Sequence, residues 1–230
     1  MQAWLVINPN TTQAVTAALQ QHLSRDTEAD AWHSITAGFG AAYIADERSY
    51  CVAGHAVLDA WERAQAQAPA AGYAGVLVGC FGDPGLQALR EATDVPVWGL
   101  AEASVQALWE QGVQRIAIVT GGQAWKPMLE RWSRAQGYAM PDAEHGRCIS
   151  AVHVLQASGG QMMQSPDAAV QSLAQASQSA LQAENADAVL LGGAGLAGMG
   201  ARVRDLTGAP VWDCVELVRA HWQKQYQQAA

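Results

Sequence analysis

Cys80 is the residue on which a chemical reading of the sequence turns. It follows the short apolar run Gly75–Val78 and precedes Asp83-Pro84-Gly85. Those three residues read as the opening of a helix, with Asp83 as its cap and Pro84 as its first residue. A thiol at a helix N-terminus gains thiolate character from the helix dipole, so the spacing predicts a reactive cysteine with a lowered pKa. A buried structural cysteine is the alternative. The turn Asn8-Pro9-Asn10-Thr11-Thr12 closes another apolar run, Trp4–Ile7. Its two amides, two hydroxyls and the helix start behind them form a polar cradle for a carboxylate or an imide-type ring. An ordinary capping turn is the other reading. Thr120-Gly121-Gly122 is the corresponding turn later in the chain.

A rival motif lies near the C-terminus. Gly193-Ala194-Gly195-Leu196-Ala197-Gly198 is a literal G-x-G-x-x-G, and Asp213 follows about 20 residues on, where a ribose-binding acid would stand. Too little chain follows Asp213 to complete a dinucleotide fold, and Gly79-Cys80-Phe81-Gly82 carries no such fingerprint. The histidines offer no metal-ligand spacing, so no metal is expected. His22 and His221 fall in polar helical patterns, His145 in a loop, and His55 in a helix-like stretch after Cys51, where it reads as a packed or exposed histidine, with a cleft-facing position as the alternative. Tyr43 belongs to the aperiodic segment 38–49, which reads as a loop over the site. Trp125, near Thr120, reads as a pocket wall among nine tryptophans that otherwise suit core positions.

The elements that must position these residues alternate. Apolar runs at Trp4–Ile7, Gly75–Val78, Val95–Trp98, Arg115–Val119, Ala188–Leu191 and Ala209–Trp212 are each followed by a helical pattern. That alternation predicts an α/β fold with mostly parallel sheets flanked by helices, and near-continuous apolar runs suit strands buried on both faces. The chain also repeats itself. Residues 74–102 align with 187–216 allowing one insertion, Val-Pro-Val-Trp at 95–98 matching Ala-Pro-Val-Trp at 209–212. Two pseudo-symmetric Rossmann-like lobes follow as the expectation. The first comprises residues 1–100, with 205–230 packing back on it, and the second residues 101–204. The turns after Ile7, Val78, Val119 and Leu191 are expected at the carboxyl ends of strands, where ligands bind in open parallel sheets, and to converge on a cleft between the lobes. In this alignment Gly193 stands where the first lobe has Cys80.

Bulk properties set the class of protein. A compact chain of 230 residues buries about 70% of its unfolded surface and needs no covalent staple. The net charge of −8, with scattered Lys and Arg, disfavours nucleic acid and anionic membranes as partners. Cys51, Cys80, Cys148 and Cys214 form no C-x-x-C pair, and MQAWLVINPN lacks a basic leader or a spanning run. A cytoplasmic protein with reduced thiols, acting on a small molecule, is the simplest expectation.

With these residues in place, the chain resembles the aspartate/glutamate/hydantoin racemase superfamily, and most of all the hydantoin and allantoin racemases. Ile7-Asn8-Pro9-Asn10-Thr11-Thr12 looks like their N-terminal INPNT(S/T). Cys80-Phe81-Gly82-Asp83-Pro84-Gly85-Leu86 resembles the CFGDPGL around their first catalytic cysteine, and Thr120–Leu129 resembles a TGG-x-x-W-x-PML stretch. The resemblance implies cofactor-independent racemisation by two cysteines on opposite faces of the substrate, in a protein that forms homo-oligomers. One thiolate removes a proton and one thiol returns it. Backbone N–H groups near Phe81, Gly82, Ala194 and Gly195, with Asn10, Thr11, Thr120 and Gly121, would bind substrate and the enolate-like intermediate. The chain departs from the pattern at one place. Where the family carries a second cysteine in an LGCAGM-like stretch, this sequence reads Leu191-Gly192-Gly193-Ala194-Gly195-Leu196. An engineered change, a one-cysteine enzyme like the superfamily's arylmalonate decarboxylase (which keeps its thiol in the other lobe), and a non-catalytic binder all stay open. Cys214 is a possible substitute for the missing thiol.

Overall fold

The computed structural model describes residues 2–28, 30–68, 72–139 and 146–227; His145 lies outside them. The chain divides into two compact units, one formed by residues up to Ala103 and from Val218 onward, the other by Ser104–Leu217. Each is an α/β unit around a four-stranded parallel sheet.

The first unit orders its strands β2-β1-β3-β4, from β1 (Trp4–Asn8), β2 (Trp32–Thr36), β3 (Gly75–Val78) and β4 (Val97–Gly99). Its helices are α1 (Gln13–Leu23), α2 (Glu47–Ala66), α3 (Leu86–Glu91), the start of α4 (Leu100–Glu110) and the end of α9 (Cys214–Trp222). Trp4, Leu5, Val6 and Ile7 of the central strand are fully buried, which is why that run is apolar without alternation. An Asp46/Ser49 capping box starts α2. The returning C-terminal segment brings Trp222 and Tyr226 against Trp32 and Trp4, closing an aromatic cluster under the sheet.

The second unit repeats the order as β6-β5-β7-β8, from β5 (Arg115–Gly121), β6 (Cys148–Leu155), β7 (Ala188–Leu191) and β8 (Val211–Asp213). Its helices include α5 (Trp125–Ala135), α6 (Gly159–Gln164), α7 (Pro166–Glu184) and α8 (Met199–Thr207). Leu173, Val189, Leu191, Val203 and Val211 form its core between sheet and helices.

The sequence repeat is matched by repeated hydrogen bonds. Gly79 N donates to Ile7 O as Gly192 N donates to Val119 O, and Val76 N to Pro96 O as Val189 N to Pro210 O. Arg90 reaches the carbonyl seven residues on, at Val97, and the carboxylate twelve on, at Glu102. Arg204 does the same to Val211 and Glu216.

Two expectations need correction. Residues 205–217, assigned to the first lobe, belong to the second unit, because β8 pairs with β7; the return begins at Val218. Two strands were also missed, β2 and β6. Both lie at a sheet edge in a half-exposed pattern, so neither shows the continuous apolar run of a buried strand.

Candidate functional site

In a 2-1-3-4 parallel sheet the chain reverses direction between the first and third strands, and the carboxyl ends there are where ligands settle. In the first unit those ends carry Asn8 and Cys80.

The Asn8–Thr12 turn is internally wired. Asn8 Nδ2 donates to Asn10 Oδ1 at 3.0 Å and to Thr16 Oγ1 at 3.0 Å, while Asn10 Oδ1 also accepts from Thr12 N at 2.9 Å. The Asn10 carbonyl is thus used up, and its Nδ2 donors are left over. Thr12 Oγ1 donates to Ala42 O at 2.6 Å and Thr11 N to Ala41 O, so the aperiodic segment 38–45 lies alongside this turn within the unit. Among the described residues the Thr11 hydroxyl and Asn10 Nδ2 have no partner. These are the two groups of the cradle available to a ligand.

Cys80 is half-buried at the end of β3, with its sulfur 3.8 Å from Phe81 O. The lowered pKa expected of it is overturned: burial, and then the neighbouring Asp83 carboxylate, push the thiol above the ordinary cysteine range. The reason is local. Asp83 and Pro84 do not open a helix; α3 starts only at Leu86, after Gly85 in the left-handed region. Asp83 itself has φ +57°. It caps α4 instead, accepting from Ala101 N at 2.8 Å and Glu102 N at 3.0 Å. Burial raises the Asp83 pKa to about 7 against these two hydrogen bonds. Phe81 and Gly82 are buried beside the thiol, and among the described residues Gly82 N–H meets no acceptor. It is a donor without a protein partner in the same turn as Cys80.

In the second unit, Thr120 Oγ1 donates to Gly192 O at 2.6 Å. Its hydroxyl therefore holds the β7 turn in place. Gly121 is enclosed, and a Cβ there would press on Met162 and on Ala157 O, so its part is close packing. Gly193 has φ +135°, a conformation L side chains rarely adopt, yet an added Cβ would stand 3.8 Å from Leu196 Cγ and 3.9 Å from Thr120 Oγ1. There is room there; the backbone is what favours glycine. Among the described residues the N–H groups of Gly193, Ala194 and Gly195 are unpaired at the start of a 3-10 turn, Ala194–Leu196, an array that suits an anionic oxygen.

The dinucleotide reading loses its acid. Asp213 is buried, and its carboxylate accepts from Gly198 N, Gly200 N and Glu216 N at 2.9–3.2 Å. It ties the glycine-rich turn to α9, and burial raises its pKa to about 6. Asp83 and Asp213 thus do one job from opposite sides. In the first unit the turn supplies the carboxylate and glycine (Gly99) ends the fourth strand; in the second the strand end supplies it.

The remaining candidates separate. His55 is exposed and packs edge-on against Phe39, with ring centroids 5.2 Å apart. His221, expected in polar surroundings, is buried against Trp98. His22 is half-buried on α1, its pKa lowered by burial and by Arg25 and Arg219. Trp125 is buried at the start of α5 beside Gly122, and Cys214 is fully buried. Among the described residues no three His, Cys, Asp or Glu side chains gather as a metal site, and no helix is long and apolar enough to cross a membrane. Sequence reasoning missed Tyr50, which hydrogen-bonds the Cys80 turn from α2, and the capping work of Asp213; it gave Asp83 a capping role but on the wrong helix. No spacing signal marks Tyr50; the matched offsets of Arg90/Glu102 and Arg204/Glu216 would have revealed the α4 and α9 starts.

Comparison with known proteins agrees with this layout. A hydantoin racemase from Paenarthrobacter aurescens is 30% identical over 216 residues, 92% of this chain and 86% of its own. Among solved structures, an allantoin racemase from Klebsiella pneumoniae superposes with a TM-score of 0.82 at 23% identity, over 100% of this chain and 89% of the other. Arylmalonate decarboxylase superposes at 0.61 and 22% identity, over 94% and 88%. The sequence pattern of the Asp/Glu/Hydantoin racemases matches residues 5–221, and the chain belongs to that family.

Proposed function

We propose that the protein exchanges the acidic C–H proton of a small carbonyl compound, a 5-substituted hydantoin being the leading class, with Cys80 as the proton-transfer residue. The observation that carries this is the Cys80 turn. A half-buried sulfur stands at the carboxyl end of β3, in the same turn as the unpaired Gly82 N–H. The relatives named hydantoin racemases support the substrate class.

In the reaction, the Cys80 thiolate takes the proton at the stereocentre, and the electron pair of the C–H bond moves onto the adjacent carbonyl as an enolate. In this reading the unpaired Gly82 N–H serves the enolate oxygen, and Asn10 Nδ2 and the Thr11 hydroxyl serve the ring carbonyls. The thiol then returns a proton to carbon. Because burial and Asp83 hold the thiol protonated near neutral pH, the acid half of this cycle is favoured and the thiolate half limits the rate.

One sulfur serves one face of the carbon. Gly193, which the internal repeat pairs with Cys80, has no group to move a proton. The proposal is therefore a one-sided enzyme: exchange with retention for one enantiomer, and slow net racemisation. A second reading, a small-molecule binder without chemistry, draws on the same glycine. Deuterium incorporation from D₂O into each enantiomer of a 5-substituted hydantoin, measured beside equilibrium dialysis of the same compounds, separates the two. Enzyme-dependent exchange supports the first; binding with no exchange above the buffer rate supports the second.

A further inference from the structure

Cys80 is followed by three residues of positive φ, two of them glycines with wide conformational freedom. Gly82 has φ +106°, Asp83 +57° and Gly85 +75°. A turn with that freedom keeps one shape only if its surroundings hold it. Asp83 anchors one side through the α4 N-terminus. The other anchor is α2. Tyr50 and Gly54 lie one helical turn apart and so share a face. Tyr50 Oη donates to Gly82 O at 2.5 Å. Gly54 is in backbone contact with Gly85: a Cβ on Gly54 would come 3.3 Å from Gly85 N, and one on Gly85 would come 2.6 Å from Gly54 O. The same helix face therefore grips the turn at its middle and at its end.

We propose that Tyr50 and Gly54 form a two-point clamp that sets the position of the Cys80 sulfur and the Gly82 N–H, making Tyr50 a positioning residue that acts through the turn. This rests on the reading of Cys80 as the proton-transfer residue. The hydrogen bond to Gly82 O fixes the peptide on one side of the Gly82 Cα, and the unpaired N–H belongs to the peptide on the other. Releasing the carbonyl frees both. The thiol also loses its enclosure, so its alkylation should quicken while catalysis slows, a combination that loss of folded protein alone does not produce in molecules shown to be folded.

The test uses the full chain carrying Cys51→Ser, because Cys51 is exposed while Cys148 and Cys214 are buried, so that iodoacetamide reports on Cys80. Tyr50→Phe removes the hydroxyl and keeps the ring. Gly54→Ala pushes on Gly85 and probes the second grip independently. For each variant that retains a cooperative unfolding transition, Cys80 alkylation and the kcat and KM of hydantoin exchange are measured. The expected result is a fall in kcat of about tenfold with KM within about twofold, since a lost hydrogen bond acting on the transition state has this size. Cys80 alkylation should be faster in both variants. An unchanged kcat in Tyr50→Phe overturns the proposal. So does a loss carried by KM, which would put the phenol on the substrate, or a loss without faster alkylation. If Cys80→Ala retains exchange while both variants still speed alkylation, the clamp stands and the catalytic reading of Cys80 fails.

Discussion

Gly193→Cys puts a thiol at the position the internal repeat pairs with Cys80, and its consequences can be worked from the backbone. An added Cβ meets nothing closer than 3.8 Å, so packing does not oppose the side chain. The φ of +135° does: a non-glycine residue must hold a sparsely populated conformation or shift the turn, at a cost of about 1–3 kcal/mol. For a chain of this length that lowers the melting temperature by about 2–4 °C per kcal/mol. Against that loss, a positioned acid or base contributes about 10²–10⁴-fold to a proton transfer. The variant should therefore be less stable and yet racemise faster than the parent by a factor in that range. The assay is chiral chromatography of a single hydantoin enantiomer over time, corrected for buffer racemisation, beside a thermal melt. Faster racemisation with a lower melting temperature is expected. A stable, folded variant with the parent's rate would refute the pairing of Gly193 with Cys80. Fast racemisation in the parent would show that another group already supplies the second proton, and Cys214 would be the first residue to replace.

Other consequences follow from the buried carboxyls and the thiol. Exchange should climb with pH and show no plateau below about pH 8, since the Cys80 thiol is held above the ordinary range by burial and by Asp83; a plateau in that range refutes the raised pKa. Asp83→Asn removes the like charge and should move the alkylation profile of Cys80 to lower pH, whereas a shift to higher pH would mean Asp83 is not what Cys80 senses. Asp83 and Asp213 have folded pKa values raised to about 7 and about 6 from 3.8. Their contribution to stability is therefore fully present below about pH 4, falls as pH rises through 4 to 7, and is constant above. The unfolding free energy from urea titrations should drop between pH 5 and pH 8 by an amount on the order of a few kcal/mol, the midpoint falling with it, and Asp83→Asn with Asp213→Asn should flatten that window. A midpoint that rises across the window contradicts the shifts.

What was legible in the sequence was what burial on both faces writes into it. The six apolar runs are strands because a parallel sheet covered by helices tolerates little else, and the Pro-Val-Trp repeat marks a duplicated unit that the side-chain bonds of Arg90 and Arg204 reproduce. Edge strands β2 and β6 escaped because most of their residues are only partly buried, and His33, Ser34, Ser150 and His153 interrupt the apolar run. Strands β4 and β8 begin at Val97 and Val211, later than their apolar runs, because Pro96 and Pro210 accept from the neighbouring strand but have no N–H to give. The site was legible in residue type and illegible in electrostatics. Asp-Pro-Gly is a fair helix-opening signal, yet Asp83 satisfies a helix 18 residues away in sequence, a long-range choice no local pattern records. With it the predicted effect on the thiol changes sign.

The central claim is that the Cys80 sulfur alone moves the proton. It is tested most directly by incubating each enantiomer of a 5-substituted hydantoin in D₂O with the parent chain and with Cys80→Ala, and reading deuterium content and configuration together. The account predicts that the parent labels one enantiomer much faster than the other, with configuration retained, and that Cys80→Ala lowers labelling to the buffer rate. Labelling that persists in folded Cys80→Ala, or equal labelling of both enantiomers with inversion by the parent, would contradict it.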